Sequence, residues 1–207
     1  MPLDTTRPEA GPVLAALAGV LDPGARIATW QRPLPPGLDA AATALLRHAP
    51  FVACAEDTPD AALAALAAKL PIPLAAALAA DIRLLAQGFA ALIDRPVIRI
   101  RLEALVGHGC HRWHADAVGL RLLATYRGPG TEWLDLPGGA RAARRLDPAA
   151  LPVPPQRLHA GAVAVLKGEA FPGHAGQGCI HRSPPNPDHA PPRLVLCLDE
   201  PGRIPLE

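Results

Sequence analysis

The sequence predicts an α+β fold in which a helical N-terminal region, residues 1–95, packs on a jelly-roll region, residues 96–207, to form one compact unit. Apolar residues recur every three or four positions in the first region and every second position in the second. Gly- and Pro-rich segments separate the short strands, as is typical of sandwiches and jelly rolls. Half of the 207 residues are apolar, which provides for a buried core.

Four helices are predicted in the N-terminal region. In one of them Thr58 is the expected N-cap and Pro59 occupies the first helical position. The longest apolar stripe follows over residues 74–92, with Leu, Ile or Phe at spacings of three or four. Weaker patterns predict two further helices, over residues 13–21 and 38–48.

Strands are predicted after residue 96. Ile98, Ile100 and Leu102 alternate with arginines, so that one face of this strand is apolar. The segments GLRLLATY, AVAVLK and RLVLCL indicate three more strands. Residues 137–156 are rich in Arg, Ala and Pro, and we expect them to form a long loop or flap.

Charge and composition exclude several function classes. The formal net charge of +1 favours neither nucleic acid nor an anionic membrane as a partner. No apolar run reaches the roughly 18 residues of a membrane span, and no basic segment precedes the first apolar stretch as in a signal peptide. The four cysteines are scattered without a Cys-x-x-Cys pair, so we expect reduced thiols and a cytoplasmic location.

The first candidate site is a metal centre formed by His114, Asp116 and His181. On a strand, His114 and Asp116 would point to the same face because they are two residues apart. His181 follows a second predicted strand and would supply the third ligand. Two histidines and one carboxylate leave open positions on the metal, as non-haem Fe(II) oxygenases require. The alternative is a surface His–Asp pair without a metal.

Arg193 is the candidate for binding a cosubstrate. Alternation places Arg193, Val195 and Cys197 on one face of the last strand. An arginine inside a barrel needs an anion, and a dicarboxylate such as 2-oxoglutarate would provide one. The alternative is an ion pair of Arg193 with Asp199 or Glu200.

Three other residues are weaker candidates for the same pocket. Arg121 would face the cavity or pair with Glu132, and Tyr126 would line the pocket or pack in the core. Cys110, four residues before His114, would complete a closed tetrahedral zinc site as a fourth ligand. The alternative for Cys110 is a buried, unreactive thiol. The ligands do not separate Fe(II) from Zn(II).

The order of these residues resembles that of the Fe(II)/2-oxoglutarate dioxygenases of the prolyl hydroxylase type, which have a double-stranded β-helix (jelly roll). The matching positions are His114, Asp116, His181 and Arg193. In that family the arginine is often followed two positions later by serine, whereas Val195 stands here. The resemblance implies an iron-dependent oxygenase that uses 2-oxoglutarate as its cosubstrate, acting on an unspecified small molecule or protein.

A more extensive resemblance covers most of the chain. The segments WHADAVGLRLLATYRGPGTEWL, AVAVLKGEAFPG and CIHRSPP are similar to the bacterial family named domain of unknown function 1826. Members of that family are often encoded near zinc-homeostasis genes, so the resemblance implies metal handling and partners in metal homeostasis. Two alternatives to an oxygenase follow, namely a zinc-binding protein without catalytic activity and a degenerate barrel that serves as an interaction module.

Overall fold

A computed structural model describes residues 11–187 and 190–202 of the chain. The helices within these ranges are α1 (Gly11–Leu17), α2 (Leu38–Leu46), α3 (Pro59–Ala67), α4 (Ala76–Leu92) and α5 (Gly139–Ala143), and a 3-10 turn at Ala18–Leu21 extends α1. The four helices predicted before residue 96 are therefore present. No helix in the described ranges has the length and hydrophobicity needed to cross a bilayer.

The strands form two antiparallel sheets. They are β1 (Ile27–Trp30), β2 (Phe51–Asp57), β3 (Ile98–Leu105), β4 (Leu120–Arg127), β5 (Glu132–Leu134), β6 (Gln156–Arg157), β7 (Val163–Lys167), β8 (Ile180–Arg182) and β9 (Arg193–Asp199). The larger sheet has the order β1-β7-β4-β9-β3-β2, and the smaller one has the order β6-β5-β8. The four strands predicted from alternation are β3, β4, β7 and β9.

Helices α1 to α4 cover one face of the six-stranded sheet, and the main core lies between them. The alternation in β3 explains this layer, because Ile98, Ile100 and Leu102 are fully buried against the helices. Thr58 occupies the N-cap position of α3, but its side chain makes no capping bond. Its backbone N–H instead donates to the Asp57 carboxylate, so the predicted role of the Thr58 hydroxyl is wrong.

Segment 11–95 contributes strands as well as helices. β1 pairs with β7 at one edge of the larger sheet, and β2 pairs with β3 along seven residues at the other edge. The sequence pattern did not reveal either strand, because β1 has four residues and β2 lacks a clear alternation. The two regions distinguished in the sequence therefore share one sheet.

The three-stranded sheet faces the side of the larger sheet that is turned away from the helices. Trp133 of β5 packs between the sheets with Ala164 and Leu166 of β7. The outer face of the three-stranded sheet is covered by segment 139–153 through an apolar cluster around Trp113 and Ile180. This segment lies within residues 137–156, which were predicted to form a long loop or flap, and it contains α5. The α+β prediction is confirmed, with two facing antiparallel sheets and helices packed on the larger one.

Candidate metal centre

The two candidate histidines lie side by side because their backbones pair. His114 and His181 form an antiparallel bridge beside β8, in which the N–H of each residue donates to the carbonyl of the other at 3.0 and 2.9 Å. Their ring centroids are 4.4 Å apart. His114 lies outside any regular strand, so the predicted position of the His-x-Asp pair on a strand is wrong, although His114 does join the sheet at its edge.

Both imidazoles turn Nε2 towards the Asp116 carboxylate and Nδ1 towards a backbone carbonyl. Nδ1 of His114 lies 2.8 Å from the carbonyl oxygen of Arg112, and Nδ1 of His181 lies 3.1 Å from that of Cys179. A carbonyl oxygen can only accept a hydrogen bond, so Nδ1 of each ring carries a hydrogen. The lone pair of each Nε2 is then available to a metal, which is the usual arrangement of metal-bound histidine.

Asp116 approaches both rings from the adjoining loop. Its Oδ1 lies 3.6 Å from Nε2 of His114, and its Oδ2 lies 3.2 Å from Nε2 of His181. The loop is held by a hydrogen bond from the Glu169 N–H to the Asp116 carbonyl at 2.7 Å. A side chain at Gly168 would come within 2.7 Å of the same carbonyl, so this close approach requires glycine.

Arg121 fixes the charge and orientation of the Asp116 carboxylate. Its Nη1 lies 2.8 Å from Oδ2 of Asp116, while its Nε and Nη2 donate to Asp199 at 2.6 and 2.9 Å. Burial alone raises the pKa of Asp116, but His181, Arg121 and His114 outweigh burial and hold that pKa well below its ordinary value. Burial and the neighbouring His181 lower the pKa of His114, which keeps its imidazole neutral at pH 7. Asp116 is therefore an anion and His114 a neutral donor, as metal binding requires.

The three side chains fit a divalent metal. One ligand atom from each of His114, Asp116 and His181 lies within 4.8 Å of the other two. Ligands at metal distances of about 2.1 Å lie roughly 3 Å apart, so small side-chain adjustments suffice to close the set around an ion. Among the described residues, Cys110 is not part of this convergent set, and its thiol is exposed. The closed zinc site with Cys110 as fourth ligand is therefore not formed.

The metal centre opens into a cavity of about 330 Å³ at one end of the space between the sheets. The candidate residues that line it are His114, His181, Arg121, Arg193 and Cys110. The predicted alternation of the last strand is correct, since Val195 and Cys197 of β9 line the same cavity. Two further charged residues, Arg101 and Glu103 of β3, also line it, and the alternation of β3 could have identified them.

Arg193 is buried in this cavity and forms no ion pair with any described residue. It is only 1% exposed, and its Nε and Nη1 have no hydrogen-bond partner in the part of the chain that the structure describes. Burial lowers the pKa of Arg193 to about 10, although Glu103 and Glu132 act in the opposite direction. The alternative ion pair of Arg193 with Asp199 or Glu200 is not formed, because the Asp199 carboxylate is bonded to Arg121 and the Glu200 carboxylate accepts from the Leu120 N–H.

Two weaker candidates have other partners. Arg121 lines the cavity but pairs with Asp116 and Asp199, whereas Glu132 binds Arg157 and Arg182 instead. Of the two alternatives for Arg121, the structure agrees with the placement in the cavity, and the pair with Glu132 is not formed.

Tyr126 lies on the helix side of the larger sheet. It is 1% exposed within the main core, and its hydroxyl donates to Oδ2 of Asp81 at 3.0 Å. Arg32 binds both oxygens of the same carboxylate at 2.6 and 2.8 Å. This placement contradicts a role for Tyr126 in cosubstrate binding and agrees with the core-packing alternative.

The substitution Tyr126→Phe should lower the free energy of unfolding by about 1–2 kcal/mol, because the ring is retained and one hydrogen bond to a charged acceptor is lost. Urea denaturation measures this change. Whatever metal or 2-oxoglutarate binding the wild type shows should be unchanged in this variant, since Tyr126 lies on the other face of the sheet. Loss of 2-oxoglutarate binding in a folded Tyr126→Phe variant would contradict the placement.

Solved structures with a similar fold include several oxygenases. The chain is similar to the rice dioxygenase for auxin oxidation, with 18% identity, a TM-score of 0.49, and coverage of 92% of this chain and 76% of that one. AviO1 from Streptomyces viridochromogenes has 17% identity and a TM-score of 0.45, with coverage of 88% of this chain and 93% of that one. The Fe(II)/α-ketoglutarate-dependent dioxygenase TqaL has 12% identity and a TM-score of 0.41, with coverage of 79% of this chain and 76% of that one. These likenesses concern the fold alone.

Sequence comparison gives a family but no characterised relative. No curated protein matches the sequence. The profile of the family described as protein of unknown function, DUF1826, matches residues 12–199, and this range includes the three convergent metal-ligand candidates and Arg193. The chain therefore belongs to the DUF1826 family.

Proposed function

We propose that the protein is an Fe(II)-dependent oxygenase that uses 2-oxoglutarate as its cosubstrate. One observation carries the proposal: His114 and His181 of the convergent ligand set line a single cavity with the buried Arg193 guanidinium, whose Nε and Nη1 have no hydrogen-bond partner among the described residues. Metal ligands alone are compatible with many functions. A cation held out of water beside them, with no anion bonded to it in the described part of the chain, favours a ligand that carries its own carboxylate.

His114, Asp116 and His181 would hold the iron through two Nε2 atoms and one carboxylate oxygen. Three protein ligands leave positions open on a six-coordinate ion, and the bound iron would supply the chemistry of dioxygen activation. Arg121 keeps Asp116 ionised and oriented, because its guanidinium is shared between Asp116 and the buried Asp199. Cys179 and Arg112 contribute only carbonyl oxygens, which keep the imidazole protons on Nδ1.

Arg193 would bind the distal carboxylate of 2-oxoglutarate. Its Nε and Nη1 have no acceptor among the described residues and could donate to a carboxylate, and the apolar Leu123 and Val195 line the same cavity. Gly128 allows the Arg193 stem to enter, because a side chain at Gly128 would lie 2.6 Å from Cγ of Arg193. A serine hydroxyl at the position of Val195 is not needed to bind the carboxylate, because the Arg193 guanidinium has unused hydrogen-bond donors.

Release of succinate tests the proposal. The protein, loaded anaerobically with Fe(II) and then given oxygen and 2-oxoglutarate, should form succinate and carbon dioxide in slow uncoupled turnover without a substrate. Arg193→Met should abolish saturable 2-oxoglutarate binding to the metal-loaded protein, measured by calorimetry, while the metal content stays the same. Arg101→Gln is the matched control, because Arg101 lines the same cavity but is partly exposed and lies 3.8 Å from Glu103.

Two results would overturn the proposal. One is the absence of both 2-oxoglutarate binding and succinate formation in protein that holds one iron per chain. The other is 2-oxoglutarate binding that is unchanged in Arg193→Met.

A further inference from the structure

A second cavity lies on the outer face of the three-stranded sheet. Its volume is about 550 Å³, within the range of small-molecule sites. Trp113 and Arg182 line it from the sheet, and Ala143, Leu146 and Pro148 line it from the covering segment 139–153. No residue lines both this cavity and the one that contains the metal ligands. Successive side chains along an extended segment point to opposite faces of a sheet. Trp113 and Arg182 are the chain neighbours of His114 and His181, so they lie on the face of the small sheet opposite to the two histidines.

The rim of this outer cavity is basic. Three arginines line it, Arg112, Arg144 and Arg182, and no acidic residue does. Arg182 donates to Glu132 at 2.8 Å, and its guanidinium stacks 4.2 Å from the Trp113 ring. Arg112 and Arg144 make no ion pair with any side chain in residues 11–187 and 190–202. Two guanidiniums are therefore available to an anion at the edge of the cavity.

The floor of the outer cavity is apolar and holds a buried donor. Trp113 packs with Leu134, Ala143 and Ile180, which gives a flat aromatic wall. Trp113 is only 7% exposed, and its indole N–H donates to no group in the described part of the chain. A buried donor without an acceptor is uncommon in folded proteins, and sites of this kind are often completed by a ligand or by water.

We propose that the outer cavity binds a small organic anion with a single carboxylate on an aromatic or aliphatic body. The apolar wall formed by Trp113, Leu146 and Pro148 would contact the body, and Arg112 and Arg144 would bind the carboxylate. The site does not depend on the proposed oxygenase reaction, because it shares no residue with the metal cavity.

Calorimetric titration with 2-naphthoate and octanoate tests this site. At least one of these acids should bind saturably with one equivalent per chain, and the uncharged alcohols 2-naphthalenemethanol and octanol should bind at least about tenfold more weakly. Arg144→Gln should weaken acid binding by about tenfold, since one charge-assisted bond is lost. Arg144 is exposed, so this variant should fold normally. Arg193→Met should leave acid binding unchanged.

Three results would refute the outer site. The first is that neither acid binds saturably at millimolar concentration. The second is that acids and alcohols bind equally well. The third is that acid binding is lost in Arg193→Met and kept in Arg144→Gln. The last result would place the anion in the metal cavity instead. Succinate formation is scored separately from these titrations, so failure of the outer site and failure of the oxygenase proposal are distinguishable.

Discussion

His114→Ala and His181→Ala should each reduce the bound divalent metal from about one ion per chain to none, because each variant leaves only two protein ligands. Two protein ligands would hold a divalent ion far more weakly than three. The ion content should be measured in protein purified without a metal-affinity tag and reconstituted anaerobically with Fe(II). The fold should persist, since neither histidine belongs to the main core.

Two matched variants make this measurement specific. His111→Ala removes an exposed histidine that lies three residues from His114 but lines only the outer cavity, and the metal should be retained. Cys110→Ser should also retain the metal, because Cys110 is outside the convergent set. Loss of zinc in Cys110→Ser would instead favour the zinc-binding alternative. Wild-type metal content in both histidine variants would show that the ion is held elsewhere.

The sequence predicted the parts of the fold that have a strong local period. The stripe over residues 74–92 corresponds to α4, and the alternation of Ile98, Ile100 and Leu102 corresponds to β3. Alternation also predicted correctly which side chains of β9 enter the cavity. These features depend on neighbours in the chain, so a single sequence suffices to find them.

The features that were missed depend on contacts between distant segments. β2 is defined by its pairing with β3 and has little periodicity of its own. His114 joins the sheet only through its bridge to His181, so no local pattern around His114 could show it. The Arg121–Asp199 pair follows from the register of β4 and β9, in which these residues are direct partners. Side-chain types predicted which residues could act together, whereas strand pairing determined their actual contacts.

Two arginines of the metal cavity should respond in opposite ways when they are replaced by methionine. Arg193→Met should raise the free energy of unfolding by about 2 kcal/mol, because it replaces a buried cation that has no bonded anion among the described residues by an apolar side chain of similar length. Arg121→Met should lower the free energy of unfolding by about 3 kcal/mol, because it leaves Asp116 and Asp199 buried without their cation. Urea denaturation of the metal-free proteins measures both changes.

The opposite signs distinguish a ligand site from a structural ion pair. An arginine with a structural role would form an ion pair within the protein, as Arg121 does, and replacing that arginine would destabilise the fold. If Arg193 serves to bind the carboxylate of a ligand, the ligand-free protein is destabilised by the desolvation of the buried guanidinium. In that case 2-oxoglutarate should stabilise the wild type against unfolding but not Arg193→Met. A loss of stability in Arg193→Met as large as that in Arg121→Met would mean that Arg193 has a structural partner. In that case the cavity would contain no cation reserved for a cosubstrate, and the oxygenase proposal would lose the observation that carries it.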